Sequence, residues 1–214
     1  MEFTSATTCI DSDHPSIQSV ALDLTKGLST DVEKAVAIYN KVRDGWRYNP
    51  YHIHFKEEKL KASYILQKKE GHCIDKAILL IAMARSVGIP ARLCLSKVCN
   101  HVATEQLEEV LGTNVLVPHG FVELQLEGKW VKATPAFNAN LCMLLDVEPL
   151  EFNGKEDSIF QEYDREGADF MEYLEYYGHF EDVPIKLMFK LMKQYYPRIF
   201  GGAPKSEYEF QEKG

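Results

Sequence analysis

Cys73 follows Gly71-His72 and opens an apolar run, residues 77–84, that reads as a buried helix closed by Gly88 and Ile89-Pro90. Unpaired amides and the positive end of the helix dipole both favour a thiolate at such a start, which makes a cysteine a nucleophile. His119 opens a strand, residues 119–126, and Glu127-Gly128 separates it from a second strand, residues 130–134, as in a hairpin. A two-residue turn pairs Phe121 with Thr134. His119 then lies on the same face as Thr134, diagonally displaced and within side-chain reach. Thiol, imidazole and hydroxyl from three segments make a nucleophile, a base and a group that orients the base. The chemistry is acyl transfer through a thioester, and the expectation is that it uses no metal and no cofactor.

The elements that must hold these residues are also readable. Residues 16–27 carry Ile17, Val20, Ala21 and Leu24 on one helical face. Thr30-Asp-Val-Glu33 is a capping box, and the stripe Val32, Ala35, Val36, Tyr39, Val42 and Trp46 continues from it to a stop near Gly45. Ala62, Tyr64, Ile65 and Leu66 mark a short helix before Gly71. Beyond the buried helix, Ala91, Leu93 and Leu95 alternate with Arg92, Cys94 and Ser96 as a strand does, and residues 100–117 read as a loop or short helix. Helices first and antiparallel strands second predict an α+β domain with its sheet packed on the buried helix.

Residues 1–140 form the expected core. Residues 141–214 read as an acidic, aromatic-rich and largely helical extension packed on it, with a helix near 185–195 stopped by Pro197 and a disordered tail from Gly201. The net charge of −8 belongs to the extension, which holds 16 acidic and 8 basic residues, leaving 16 of each in the core. Such a balance excludes phosphate-backbone binding, so no nucleic-acid partner is expected. If the extension borders the cleft, it should disfavour acidic substrates and favour basic or neutral ones. The longest apolar run is too short to span a bilayer, no membrane partner is expected, and the first fifteen residues lack the features of a secretory signal. Five cysteines at irregular spacing fit reduced thiols in a cytoplasm. Cys94, Cys99 and His101 approach zinc-ligand spacing without a fourth ligand and read as core or loop residues. His72, next to Cys73, reads equally as a group that tunes the thiol or touches substrate and as a solvated loop histidine; His52 and His54 read as ordinary surface histidines, and Tyr163, Tyr173, Tyr176, Tyr177, Tyr195 and Tyr196 as packing of the extension on the core. Oligomeric state is left open.

Gly71-His-Cys73-Ile-Asp75-Lys-Ala77-Ile-Leu79-Leu80, then Ala84-Arg85-Ser-Val-Gly88-Ile-Pro90-Ala-Arg92, His119-Gly-Phe-Val-Glu123 and Gly128-Lys-Trp130-Val, resemble the transglutaminase-like superfamily. The resemblance covers roughly residues 15–138. It implies a papain-like α+β core with the cysteine at a helix N-terminus, Cys73 as nucleophile, His119 as general base and acid, and the Cys73 backbone amide in the oxyanion hole. It implies peptide, protein or small amide or ester substrates, with hydrolysis the default among cross-linking, protease and amidase activities. One position departs from the family. Trp130-Val-Lys-Ala-Thr134-Pro-Ala-Phe-Asn138 places threonine where the family usually has aspartate. A hydroxyl can fix the tautomer of His119 but cannot offset an imidazolium by charge, and replacing the acid of a serine triad costs ~10⁴ in rate. Asn138 and Glu123 are alternative orienters, ranked after Thr134. The competing reading is a non-catalytic or weakened binding module that retains the scaffold.

Overall fold

The computed structural model describes residues 2–101, 105–159, 171–201 and 207–209. Helix α1 (Pro15–Thr25) and helix α2 (Asp31–Gly45) precede two short strands, β1 (Arg47–Tyr48) and β2 (His52–His54). Helix α2 begins at the capping box expected for it, with Thr30 accepting from the Glu33 amide while Glu33 accepts from that of Thr30. After α3 (Ala62–Gln67) and β3 (Glu70–Gly71) comes α4 (Cys73–Ser86), the centre of the molecule. Every residue from Ala77 to Ala84 is fully buried, so α4 is enclosed on all sides by α1, α2, α3 and the sheet. Val87 and Gly88 close it, Gly88 with a φ of +86° that a side chain would oppose.

Strands β4 (Ala91–Asn100), β5 (Val115–Leu126) and β6 (Lys129–Ala133) follow, with α5 (Glu105–Leu111) between the first two. Glu127 and Gly128 both take positive φ, +49° and +83°, which matches the twist of a tight hairpin. The register then runs from Leu126↔Lys129 to Val122↔Ala133, in step with the expected pairing of Phe121 and Thr134. Leu93, Leu95, Val122 and Leu124 form the sheet's contribution to the core around α4. The alternate residues Cys94, Ser96, His119 and Phe121 occupy the other face by the pleat.

The extension does more than add helices. Between α6 (Ala139–Leu144) and the pair α7 (Ile185–Tyr195) and α8 (Pro197–Phe200) lies β7 (Met171–Phe180), an edge strand of an antiparallel sheet ordered β6-β5-β4-β7. Two register shifts along β7 hide it in the sequence, because they break the period-2 alternation. Within the stretch read as a disordered tail, β8 (Glu207–Glu209) pairs with β2 and buries Tyr208, whose ring lies 4.4 Å from that of Phe200. The rest of that stretch, and Tyr163, lie outside the described residues.

A buried cation ties the core together. Lys76, fully enclosed on α4, donates to the carbonyls of Arg43 (2.8 Å), Trp46 (2.9 Å) and Ala136 (2.7 Å). Three acceptors match the three protons of an ammonium. Two of them belong to the C-terminal end of α2, where a cation complements the dipole, and the third lies just beyond Thr134. Burial nevertheless pulls the Lys76 ammonium down to about 7.

Candidate active site

His72 caps α4. Its Nδ1 accepts from the amides of Ile74 (3.1 Å) and Asp75 (3.3 Å), while Asp75 accepts from the His72 amide through Oδ2 (3.2 Å). The Lys76 amide reaches the His72 carbonyl at 3.1 Å. Three of the four orphan donors of the first turn are thus committed to the cap, and the remaining one is the amide of Cys73. That leaves the donor an oxyanion would need at the nucleophile itself.

Cys73 meets β5 at Gly120. The Gly120 backbone, one residue along the chain from His119, lies against the start of α4 and favours the Cys73 thiolate. The contact requires glycine, since a Cβ at position 120 would stand 2.7 Å from Ile74 Cγ1 and 3.1 Å from Ile74 Cα. The paired register of β6 ends at Val122↔Ala133, so Gly120 lies beyond the paired part of β6 on β5. The helix start and the strand that carries the histidine are therefore locked together by a close backbone approach.

His119 is 2% exposed and packs its ring edge-on to Tyr173 of β7, with centroids 6.0 Å apart. Burial pushes its imidazolium down to about 3, so the ring is neutral at neutral pH. The thiol goes the other way from the sequence expectation. The amides of Gly120, Ile74 and Cys73 favour the thiolate, but burial outweighs them and, with the nearby Asp75 carboxylate, pushes Cys73 up to about 11. Cys73 rests as a neutral thiol and His119 as a neutral imidazole. Desolvation at the helix start wins over the dipole, and only the tertiary structure displays it.

Thr134 is 1% exposed. Its amide donates to the Ser158 carbonyl (2.9 Å) and its carbonyl accepts from the Tyr39 hydroxyl (3.1 Å), while its own buried hydroxyl makes no hydrogen bond among the described residues. The two alternative orienters are occupied elsewhere. Glu123 accepts from Arg92 Nε at 2.7 Å, and Asn138 caps α6 in position while its Oδ1 accepts from the Tyr48 amide at 3.0 Å. Sequence reasoning passed over Ser96. It stands directly across from His119 in the β4–β5 register, fully buried, with a hydroxyl that also makes no hydrogen bond among the described residues. The signal that could have found it is its alternation with Leu93 and Leu95, which puts it on the histidine's face once the register is known.

A pocket of about 60 Å³ opens at Cys73, lined by Tyr48, Ile53, Leu116, Val117, Met192 and Tyr196 among others. Its last two walls come from α7 and the turn into α8, in the extension. Among the described residues no group of three or more His, Cys, Asp or Glu is arranged to hold a metal ion, and no helix is long and apolar enough to cross a membrane.

Comparison with known families matches residues 18–135 to the transglutaminase-like superfamily. The chain belongs to that superfamily. The match ends just past Thr134, so the transglutaminase-like part holds Cys73, His119 and Thr134 while β7, α7 and α8 lie outside it. Two solved structures are similar over part of the chain. A candidate cysteine protease from Cytophaga hutchinsonii is 20% identical with a TM-score of 0.48, covering 62% of this chain and 40% of its own. A candidate protease from Parabacteroides distasonis is 18% identical with a TM-score of 0.40, covering 59% and 26%. This transglutaminase-like chain thus spans less than half the length of either neighbour. A comparison with curated proteins returns no match.

Proposed function

We propose that the protein is a cysteine-dependent acyl-transfer enzyme that hydrolyses an amide, peptide or ester bond through a thioester on Cys73. The observation that carries the reading is the close backbone approach of the α4 start to β5 at Gly120, which brings the helix start bearing Cys73 against the histidine-bearing strand. Cys73 Sγ attacks the substrate carbonyl carbon while its proton passes to the His119 imidazole. The Cys73 amide donates to the developing oxyanion. The resulting imidazolium returns that proton to the leaving amine or alkoxide as the C–N or C–O bond breaks. Water then attacks the thioester, with His119 taking its proton and handing it to the departing sulfur. Thr134 Oγ1 is the proposed acceptor for the imidazole N–H that fixes the tautomer. A neutral resting pair suits a thiol that is deprotonated in step with attack. Five free cysteines agree with a cytoplasmic setting.

Trapping tests this directly. An activated ester should leave its acyl mass on Cys73, found by peptide mapping of the intact protein, and Cys73→Ala should abolish both the adduct and turnover. The second reading, a binding module on a retained scaffold, is favoured by the absence of a carboxylate at Thr134. No turnover by the native protein over a broad amide and ester panel would select it.

A further inference from the structure

The pocket at Cys73 has walls of a particular chemistry. Among the described residues no Asp, Glu, Lys or Arg lines it. Its polar groups are few, and two of them are engaged with one another. The Tyr196 hydroxyl accepts from the Val117 amide (2.6 Å) and donates to the Val115 carbonyl (2.8 Å), so it presents a ring and no hydrogen-bonding edge. The Val117 amide is consumed by that bond, and Pro118, next along β5, has no amide proton to offer. His72 turns Nδ1 to the α4 cap, and its buried Nε2 makes no hydrogen bond among the described residues. Burial keeps the Tyr48 phenol protonated and neutral. A charged group entering here would lose its water and meet no opposite charge, a loss that a short hydrocarbon chain does not suffer.

Size narrows the occupant further. About 60 Å³ exceeds what a single water needs, roughly 10–15 Å³, and falls short of the ~150 Å³ cavity that admits benzene. Resting on the proposed function, we propose that the acyl group accepted by Cys73 carries a short, uncharged aliphatic chain. Met192 and Tyr196 of the extension set the length that fits. The superfamily match ends before either residue, so the selectivity lies in the part of the chain that the family does not describe. Among the described residues no acidic group of the extension lines this pocket. Discrimination against acidic substrates follows from missing partners for charge, and basic substrates should be rejected for the same reason.

The experiment is an acylation series with the full chain and p-nitrophenyl esters of straight-chain acids of two to ten carbons, plus the succinyl and the 4-aminobutyryl ester. Each rate is divided by that of the same ester with N-acetylcysteine, and the adduct on Cys73 is read by mass. A buried methylene is worth about a fourfold change. The expected maximum is at four to six carbons, at least ~10-fold above acetyl and above both charged esters. Met192→Trp should move the optimum to acetyl and Met192→Ala to longer chains, a shift that mere loss of folding would not produce. Acylation of Cys73 at rates indifferent to chain length or charge overturns this inference and leaves the enzyme reading intact. Failure of every ester to acylate Cys73 overturns both.

Discussion

The segment matched to the superfamily and the segment beyond it divide the work. The first is mildly basic, with 13 acidic and 16 basic residues, contains the proposed nucleophile, base and hydroxyl, and is built around a helix with no exposed turn. The second carries the acidic surplus, yet among the described residues it meets the site through aromatic and aliphatic groups: Tyr173 against His119, Met192 and Tyr196 at the pocket. The contrast teaches that net charge locates a segment's solvent face and says little about the face it turns inward. By the proposed reading, chemistry resides in one region, and burial of the base and choice of substrate reside in the other.

The largest effect should come from the base. His119→Gln is expected to lower turnover by ~10³ or more while the acyl pocket still binds. The same variant should alter acid stability. A histidine held near 3 in the folded chain and near 6.5 when unfolded binds its proton only in the unfolded state between those limits, so native stability falls as pH drops from about 6.5 to 3. The loss is on the order of a few kcal/mol. Urea titrations at pH 7 and pH 4 should show a smaller difference for His119→Gln than for the native chain, and equal differences would mean that the ring is solvated.

Next in size is the buried cation of the core. Lys76→Met leaves the carbonyls of Arg43, Trp46 and Ala136 without a donor, and a destabilisation of about 3 kcal/mol is expected in equilibrium unfolding. In the extension the corresponding test is Tyr196→Phe, which strands the buried Val117 amide at about 1–2 kcal/mol. Its distinguishing sign is a flatter chain-length preference, which a purely structural role would not give. The smallest effect concerns the acidic surplus. Raising salt from 20 mM to 500 mM should change the acylation rate of a neutral ester less than twofold, because no charged side chain among the described residues lines the pocket. A larger salt effect would mean that the extension steers substrates after all.

What could be read without coordinates follows the range of the forces involved. The capping box at Thr30, the close of α4 at Gly88 and the register of the β5–β6 hairpin are local, and α7 falls on the residues its periodicity marked. Strand β7 was missed because bulges erase its alternation, and β8 because three residues flanked by Gly, Pro and charges carry no pattern. Lys76 looked like an interruption in an apolar helix, since its partners come from two segments more than 29 residues away on either side. At the candidate site, the helix start at Cys73 and a strand through His119 were accessible to pattern, but the balance that keeps Cys73 a thiol was not. Burial depends on Tyr48 and on the β5 backbone, which sequence distance conceals.

The approach of α4 to β5 also bears on how such sequences can diverge. At position 73 a change removes reactivity and can spare the fold. At position 120 a methyl group would collide with Ile74 from the start of the same helix, so stability and reactivity fail together. In a saturation library scored separately for abundance and for acylation, the two positions should therefore part company: Cys73 variants persist as inert protein, while Gly120 variants vanish from both scores. On the proposed mechanism the dipeptide His119-Gly120 acts as one unit, its first residue needed for its proton and its second for having no side chain.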